Sequence, residues 1–129
     1  MIEYRVSEQG IFEATAVGEI DDASVFEAIQ AQWRTGVTLC MWDLRRADMS
    51  HFDARSVERL LEHVRADRPA SYDPGRVAFL AGSQLVFGMM RMVQTLGEGL
   101  IVANVSEDRD ELLRWLLGDA STTDGSRRR

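Results

Sequence analysis

The chain has 129 residues and a formal net charge of −6, with 28% charged and 45% hydrophobic residues. That size and balance suit one soluble globular domain that can bury a core without metal or disulfides. The acidic balance argues against binding nucleic acid, the lack of lysine in these residues excludes Schiff-base and P-loop lysine chemistry, and the lone Cys40 excludes an intramolecular disulfide.

Ile2–Val6 alternates apolar and polar residues, as a half-buried strand does. Ser7-Glu8-Gln9-Gly10 is a turn, and Ile11–Val17 is a second strand ended by Gly18, so the two predict an antiparallel hairpin. Asp21 or Asp22 caps a helix whose Val25, Phe26, Ile29 and Trp33 share one face, and Gly36 stops it. Val37–Trp42 is apolar on both faces and suits a central strand covered on both sides, with Cys40 as a buried thiol and Asp43-Leu44-Arg45-Arg46 leaving its C-terminal end.

Asp53 is placed to cap the next helix, which carries Val57, Leu60, Leu61 and Val64 at helical spacing. His63 falls on its polar side and His51 in the preceding loop; neither has metal-ligand spacing or a Cys or His partner, so both are expected at the surface. After a loop with two prolines, Arg76–Ala81 is a further buried strand, and Gly82-Ser83 leads into a helix that runs to Gly97. Leu100–Val105 is the last strand. Ser106 is expected to cap a final helix with an acidic first turn and a core face of Leu112, Leu113 and Leu116. Residues 119–129 are polar and aperiodic and are expected to form a disordered tail, which leaves 1–118 as the domain. The order β-β-α-β-α-β-α-β-α predicts an α/β fold: a single-layer, mostly parallel five-stranded sheet with four helices and the first strand antiparallel at or near an edge. No apolar run approaches the length of a bilayer span, and Met1–Arg5 lacks the basic start and apolar block of a signal peptide, so a cytoplasmic location is expected.

The helix after Ser83 is apolar nearly all the way round. Stepped at about 100° per residue, Leu85, Met89, Met92, Val93 and Leu96 form the stripe expected to face the sheet, with Val86 at its margin. Phe87, Met90, Arg91 and Gln94 fall opposite, and Gly88 and Thr95 make a small-residue flank. A helix-interior glycine costs about 1 kcal/mol relative to alanine, so Gly88 suggests close approach of protein or ligand. Phe87 and Met90 together make a patch of the kind that marks contact sites, and Arg91 needs water, a carboxylate or a ligand headgroup.

Ligands of open α/β sheets gather beyond the C-terminal ends of the parallel strands, where this chain supplies Asp43, Arg45 and Ser83. Ser83 opens a helix whose free N–H groups suit an anion, although a plain N-cap is the commoner use of such a serine. No nucleophile elbow or dinucleotide-binding glycine motif is present, and nothing in the sequence sets the separation of Asp43 and Asp48. No catalytic residue, metal or cofactor is expected.

Trp42-Asp43-Leu44-Arg45, Phe87-Gly88-Met89-Met90-Arg91-Met92 and Leu112-Leu113-Arg114-Trp115-Leu116 resemble the SpoIIAA-like family of small bacterial proteins, relatives of STAS domains, over residues 1 to 118. The resemblance implies a β/α sheet with helices, no catalytic activity and a dimer. The similarity of members to CRAL-TRIO lipid-binding domains implies an apolar or lipid-like small molecule. STAS antagonists of anti-sigma factors are switched on a serine in an Asp-Ser-Ser-Gly context. The matching region here is His51-Phe52-Asp53-Ala54-Arg55-Ser56, without the serine pair or the glycine, and Ser50 and Ser56 stand in a different setting. The expectation is a non-catalytic binding protein whose ligand lies against Phe87, Gly88 and Met90, with Arg91 at its polar end and Asp43, Arg45 and Ser83 as further contacts. The alternative is a homodimeric, partner-switching interaction module without the usual phosphoserine.

Overall fold

In the computed structural model the described residues are 1–72 and 75–118; the expected tail at 119–129 lies outside them. Ile2–Val6 (β1) and Ile11–Glu19 (β2) form the expected antiparallel hairpin, in register from Ile2↔Ala16 to Val6↔Phe12. Gly10 takes the left-handed φ of 79° that the turn requires, and the Ser7 hydroxyl accepts from the Ile11 N–H at 3.2 Å.

The remaining elements are α1 (Asp22–Thr35), β3 (Leu39–Asp48), α2 (Ala54–Asp67), β4 (Arg76–Leu80), α3 (Gln84–Leu96), β5 (Ala103–Ser106) and α4 (Arg109–Leu116). The sheet runs β1-β2-β3-β4-β5, antiparallel between β1 and β2 and parallel thereafter. Each crossover steps one strand in the same direction, so right-handed connections bring α1, α2 and α3 to one face. Strand alternation sorts the core accordingly. Phe12, Cys40, Trp42 and Phe79 point to the three-helix face, while Ile11, Met41, Ala78 and Leu80 meet Leu112 and Leu116 of α4 on the other. Among the described residues no helix is long and apolar enough to cross a membrane.

Local chemistry fixes the helix starts. Asp21 caps α1 by accepting from the Ser24 N–H at 2.8 Å, and Asp53 forms a capping box with Ser56 on α2. The cap of α4 differs from expectation. Asp108, not Ser106, accepts from the Asp110 and Glu111 N–H groups, and the Ser106 hydroxyl instead accepts from the Asp108 N–H at 3.0 Å. A carboxylate two residues further on outcompetes the hydroxyl and shortens the helix by that much.

Strand β3 also departs from expectation. It does not end at Trp42 but continues to Asp48 through a bulge, because Thr15↔Asp43 is followed by Val17↔Arg46, so two residues of β3 oppose Ala16 alone. The Asp43 carboxylate holds this kink by accepting from the Arg45 N–H at 3.1 Å and from its guanidinium. Arg45 and Arg46 are therefore both exposed, and alternation resumes with Ala47 packed against the core.

Helix α1 buries Val25, as expected, together with Ala28, Ala31 and Gln32, while the expected Phe26 and Trp33 are only partly buried. Its small residues allow close packing, and the two aromatic rings turn towards α2. There they stack on His63 at centroid distances of 4.3 and 5.8 Å. His63 is thus not a surface residue: its side chain is 13% exposed, Nδ1 pairs with Asp67 at 2.8 Å, and Nε2 is buried without a partner among the described residues. The neighbouring aromatic residues, which α2's own periodicity cannot reveal, account for the difference. His51 is exposed as expected and pairs with Glu19 at 2.9 Å.

Candidate functional site

The inward face of α3 is turned from the stripe expected: Val93 and the marginal Val86 face the core as expected and Met89 and Met92 pack partly against it, but Met90 takes the place of Leu85 and Leu96. Val86, Met90 and Val93 are buried, while Leu85 is 68% and Leu96 52% exposed. The packed stripe continues to Gly97, where a side chain would meet Ile101 at 2.8 Å. Only a glycine there lets the chain fold back under the helix towards β5. That closure, rather than apolarity, selects the inward face.

Met90 and Val93 thereby become one wall of an apolar cavity of about 90 Å³. Its floor is Trp42 and Leu44 of β3 with Val77 and Phe79 of β4; Val25, Ile29 and Trp33 of α1 form the opposite wall. Leu60, Leu61 and Val64 of α2 form the roof. The closest backbone approaches of α2 are to its flanking helices rather than to the strands, which leaves this space beneath it. Val77 pairs with Cys40, so the floor from that level to Leu44 extends roughly 13 Å at the usual rise of a strand. Ile20, Met49 and Phe52 close the end beyond Leu44.

The opposite end is polar. Tyr72 donates to the Val37 carbonyl at 2.5 Å and accepts from Gln32 Nε2 at 2.8 Å, and Gln32 Nε2 also reaches Val37 O at 3.2 Å. Gln32 is 6% exposed, and its Oε1 accepts no hydrogen bond from any described residue. Arg68, at the C-terminal end of α2, donates from Nη1 to the Leu100 carbonyl at 2.8 Å. It is the one charged side chain lining the cavity among the described residues. These three polar residues did not stand out in the sequence. The available signal was Gln32, which falls in line with Val25 and Ala28 on the buried stripe of α1.

The residues singled out from the sequence do not converge. Met90 lines the cavity and Phe87 is half-buried against the same core. Gly88 and Arg91 lie on the exposed side of α3, and a side chain at Gly88 would meet nothing within 4 Å, so no close approach within this chain explains the glycine. Arg91 has no ion-pair or hydrogen-bond partner among the described residues. The Ser83 hydroxyl accepts from the Val86 N–H at 3.2 Å as the N-cap of α3. Asp43 and Arg45 belong to the β3 bulge and pair with each other at 2.8 Å. Hydrogen bonds from Arg45 hold the Asp43 carboxyl below the usual carboxylate range, and burial pushes the Cys40 thiol up, as expected for an inert cysteine.

A crystal structure of an uncharacterized DUF3478-family protein with a SpoIIAA-like fold, from Shewanella loihica PV-4, matches with a TM-score of 0.57 at 19% identity, covering 90% of this chain and 92% of that one. The fold is SpoIIAA-like, as the resemblance in the sequence implied. No protein-family model and no curated protein matches the sequence.

Proposed function

We propose that this chain is a non-catalytic binding protein that takes a slender apolar molecule, of the kind an acyl or alkyl chain provides, into the cavity beneath α2. The observation that carries this reading is the cavity itself: a space of about 90 Å³ with hydrocarbon and aromatic walls and a polar group of residues at one end only. Apolar cavities of this order stay dry and accept apolar guests, and a few placed polar groups orient the guest. The engagement of the reactive side chains supports a non-catalytic role. Ser83 is a cap, Asp43 and Arg45 hold a bulge, and Cys40 is fully buried.

The test uses Trp42 on the cavity floor. In a variant that retains only this tryptophan (Trp33→Phe with Trp115→Phe), a bromine-labelled alkyl chain quenches fluorescence. A variant that retains only Trp115, on the α4 face, is unaffected. Equal response of the two variants, or no response of either, removes the reading.

A second reading, a homodimeric interaction module, draws on the outward stripe of α3. Leu85, Met89, Met92 and Leu96 follow the alternating four- and three-residue spacing of a helix–helix seam, with Gly88 beside it. A second copy of the helix is the partner that this self-complementary spacing suits. Light scattering distinguishes the readings: Met92→Glu yields monomer if the stripe is a seam and changes nothing if the chain acts alone.

A further inference from the structure

We infer that the guest is an anionic amphiphile, a monocarboxylate on an aliphatic chain, with its carboxylate held by Arg68 and its tail directed towards Phe52; this inference rests on the cavity being a binding site. Arg68 is the one charged group in the lining among the described residues. No carboxylate of a described residue lies within ion-pair distance of it, and neighbouring Asp67 is engaged by His63. A half-buried guanidinium keeps its charge, and its planar fork of donors suits a carboxylate. Here one nitrogen is engaged by the Leu100 carbonyl, which fixes the side chain at the cavity end and leaves the others available.

Polarity is graded along the cavity in the same sense. Tyr72, Gln32 and Arg68 share one end with Val77, at the start of β4. Ile20, Met49 and Phe52, at the other end, offer only apolar surface. A molecule polar at both ends would bury a group against Phe52 that nothing there can bond. A molecule with no polar end would leave the remaining Arg68 donors unanswered. A floor of roughly 13 Å limits the tail to a medium-length chain in extended form, and with a volume of about 90 Å³ the lining side chains must yield to admit it.

The experiment compares decanoate with decan-1-ol, matched in length but differing in charge, by calorimetric titration of the delipidated full chain at neutral pH. The wild type is expected to prefer decanoate by about tenfold, the value of one charge-assisted contact. Arg68→Gln, which keeps a donor for the Leu100 carbonyl, should abolish that preference and leave decanol affinity unchanged. Arg68→Lys should retain the preference. Equal binding of both probes by the wild type, or a preference that survives Arg68→Gln, overturns the carboxylate assignment while the cavity reading stands. If the wild type binds neither probe, the cavity reading itself fails.

Discussion

The imidazole of His63 lies 4.3 Å from the ring of Phe26 at an interplanar angle of 21°, and stacks at the same angle on Trp33 at 5.8 Å. Nδ1 donates to Asp67, which leaves Nε2 as a buried acceptor without a partner among the described residues. An unsatisfied buried polar atom costs about 1–3 kcal/mol, whereas an exposed pair to Asp67 contributes about 0–1 kcal/mol. His63→Phe keeps the ring stack and removes the orphan. It should raise stability by about 1 kcal/mol, measured by urea unfolding. A loss of that size would mean that the imidazole nitrogen has a partner in solution.

Met90 and Met92 are two residues apart and should respond very unequally to the same change. Met90 is 3% exposed on the cavity wall, so Met90→Glu places a carboxylate among hydrocarbon. A loss above about 3 kcal/mol is expected, enough to unfold a marginal domain. Met92 is only partly buried at the edge of the core, where a glutamate can still reach water, and Met92→Glu should cost about 1 kcal/mol in the monomer. Thermal unfolding of both variants therefore tests the facing of α3. Equal effects would mean that the helix is rotated.

The fold was legible in the sequence because alternation and helical spacing are local signals. The hairpin at Gly10, the caps at Asp21 and Asp53 and the order of strands could all be inferred within a few residues of their place. The facing of α3 could not, since both of its stripes are apolar and the deciding contact, Gly97 against Ile101, depends on how the chain closes. The cavity was hidden for a related reason. Met90 was singled out, but Gln32, Arg68 and Tyr72 come from separate elements, and only tertiary structure places them at one end of a shared space.

Two glycines should behave in opposite ways when given a methyl group. Gly88 is an exposed helix-interior residue with nothing within 4 Å of an added side chain, so Gly88→Ala should stabilise by about 1 kcal/mol through helix propensity. At Gly82 the same atom would lie 2.8 Å from Arg45 Cα and 2.9 Å from its carbonyl oxygen. Backbone cannot yield as a flexible side chain does, so Gly82→Ala should destabilise by about 2 kcal/mol or more. Denaturant midpoints of the two variants should fall on opposite sides of the wild type.

Acid should unfold the protein through carboxylates held below their usual value of 3.8: Asp43 by hydrogen bonds from Arg45, and the N-caps Asp21 and Asp53 by the backbone N–H groups of Ser24 and Ser56. A depressed folded pKa means that the unfolded chain binds protons first. The stabilisation is therefore complete above the unfolded value and disappears as the pH falls through the folded one. Stability should be level from neutral pH to about 5 and decline below about 4. Asp43→Asn should lower the plateau and flatten the decline, followed by urea unfolding across the pH series. An unchanged slope would show that the bulge contact contributes nothing to acid sensitivity.

Filling the cavity should separate stability from binding. Val64 is buried on α2 and roofs the empty space, so Val64→Phe places an aromatic ring where a guest would lie. The added buried surface favours the folded state, and any overpacking is relieved by the free volume beneath the roof, for a net gain of roughly 1 kcal/mol. The same ring should abolish uptake of an alkyl chain, read as loss of bound mass in native mass spectrometry. A site kept open for a ligand behaves in this way, because the unoccupied protein forgoes packing that the guest supplies. If Val64→Phe raised stability and left uptake intact, the chain would be bound elsewhere and the space beneath α2 would be only a packing defect.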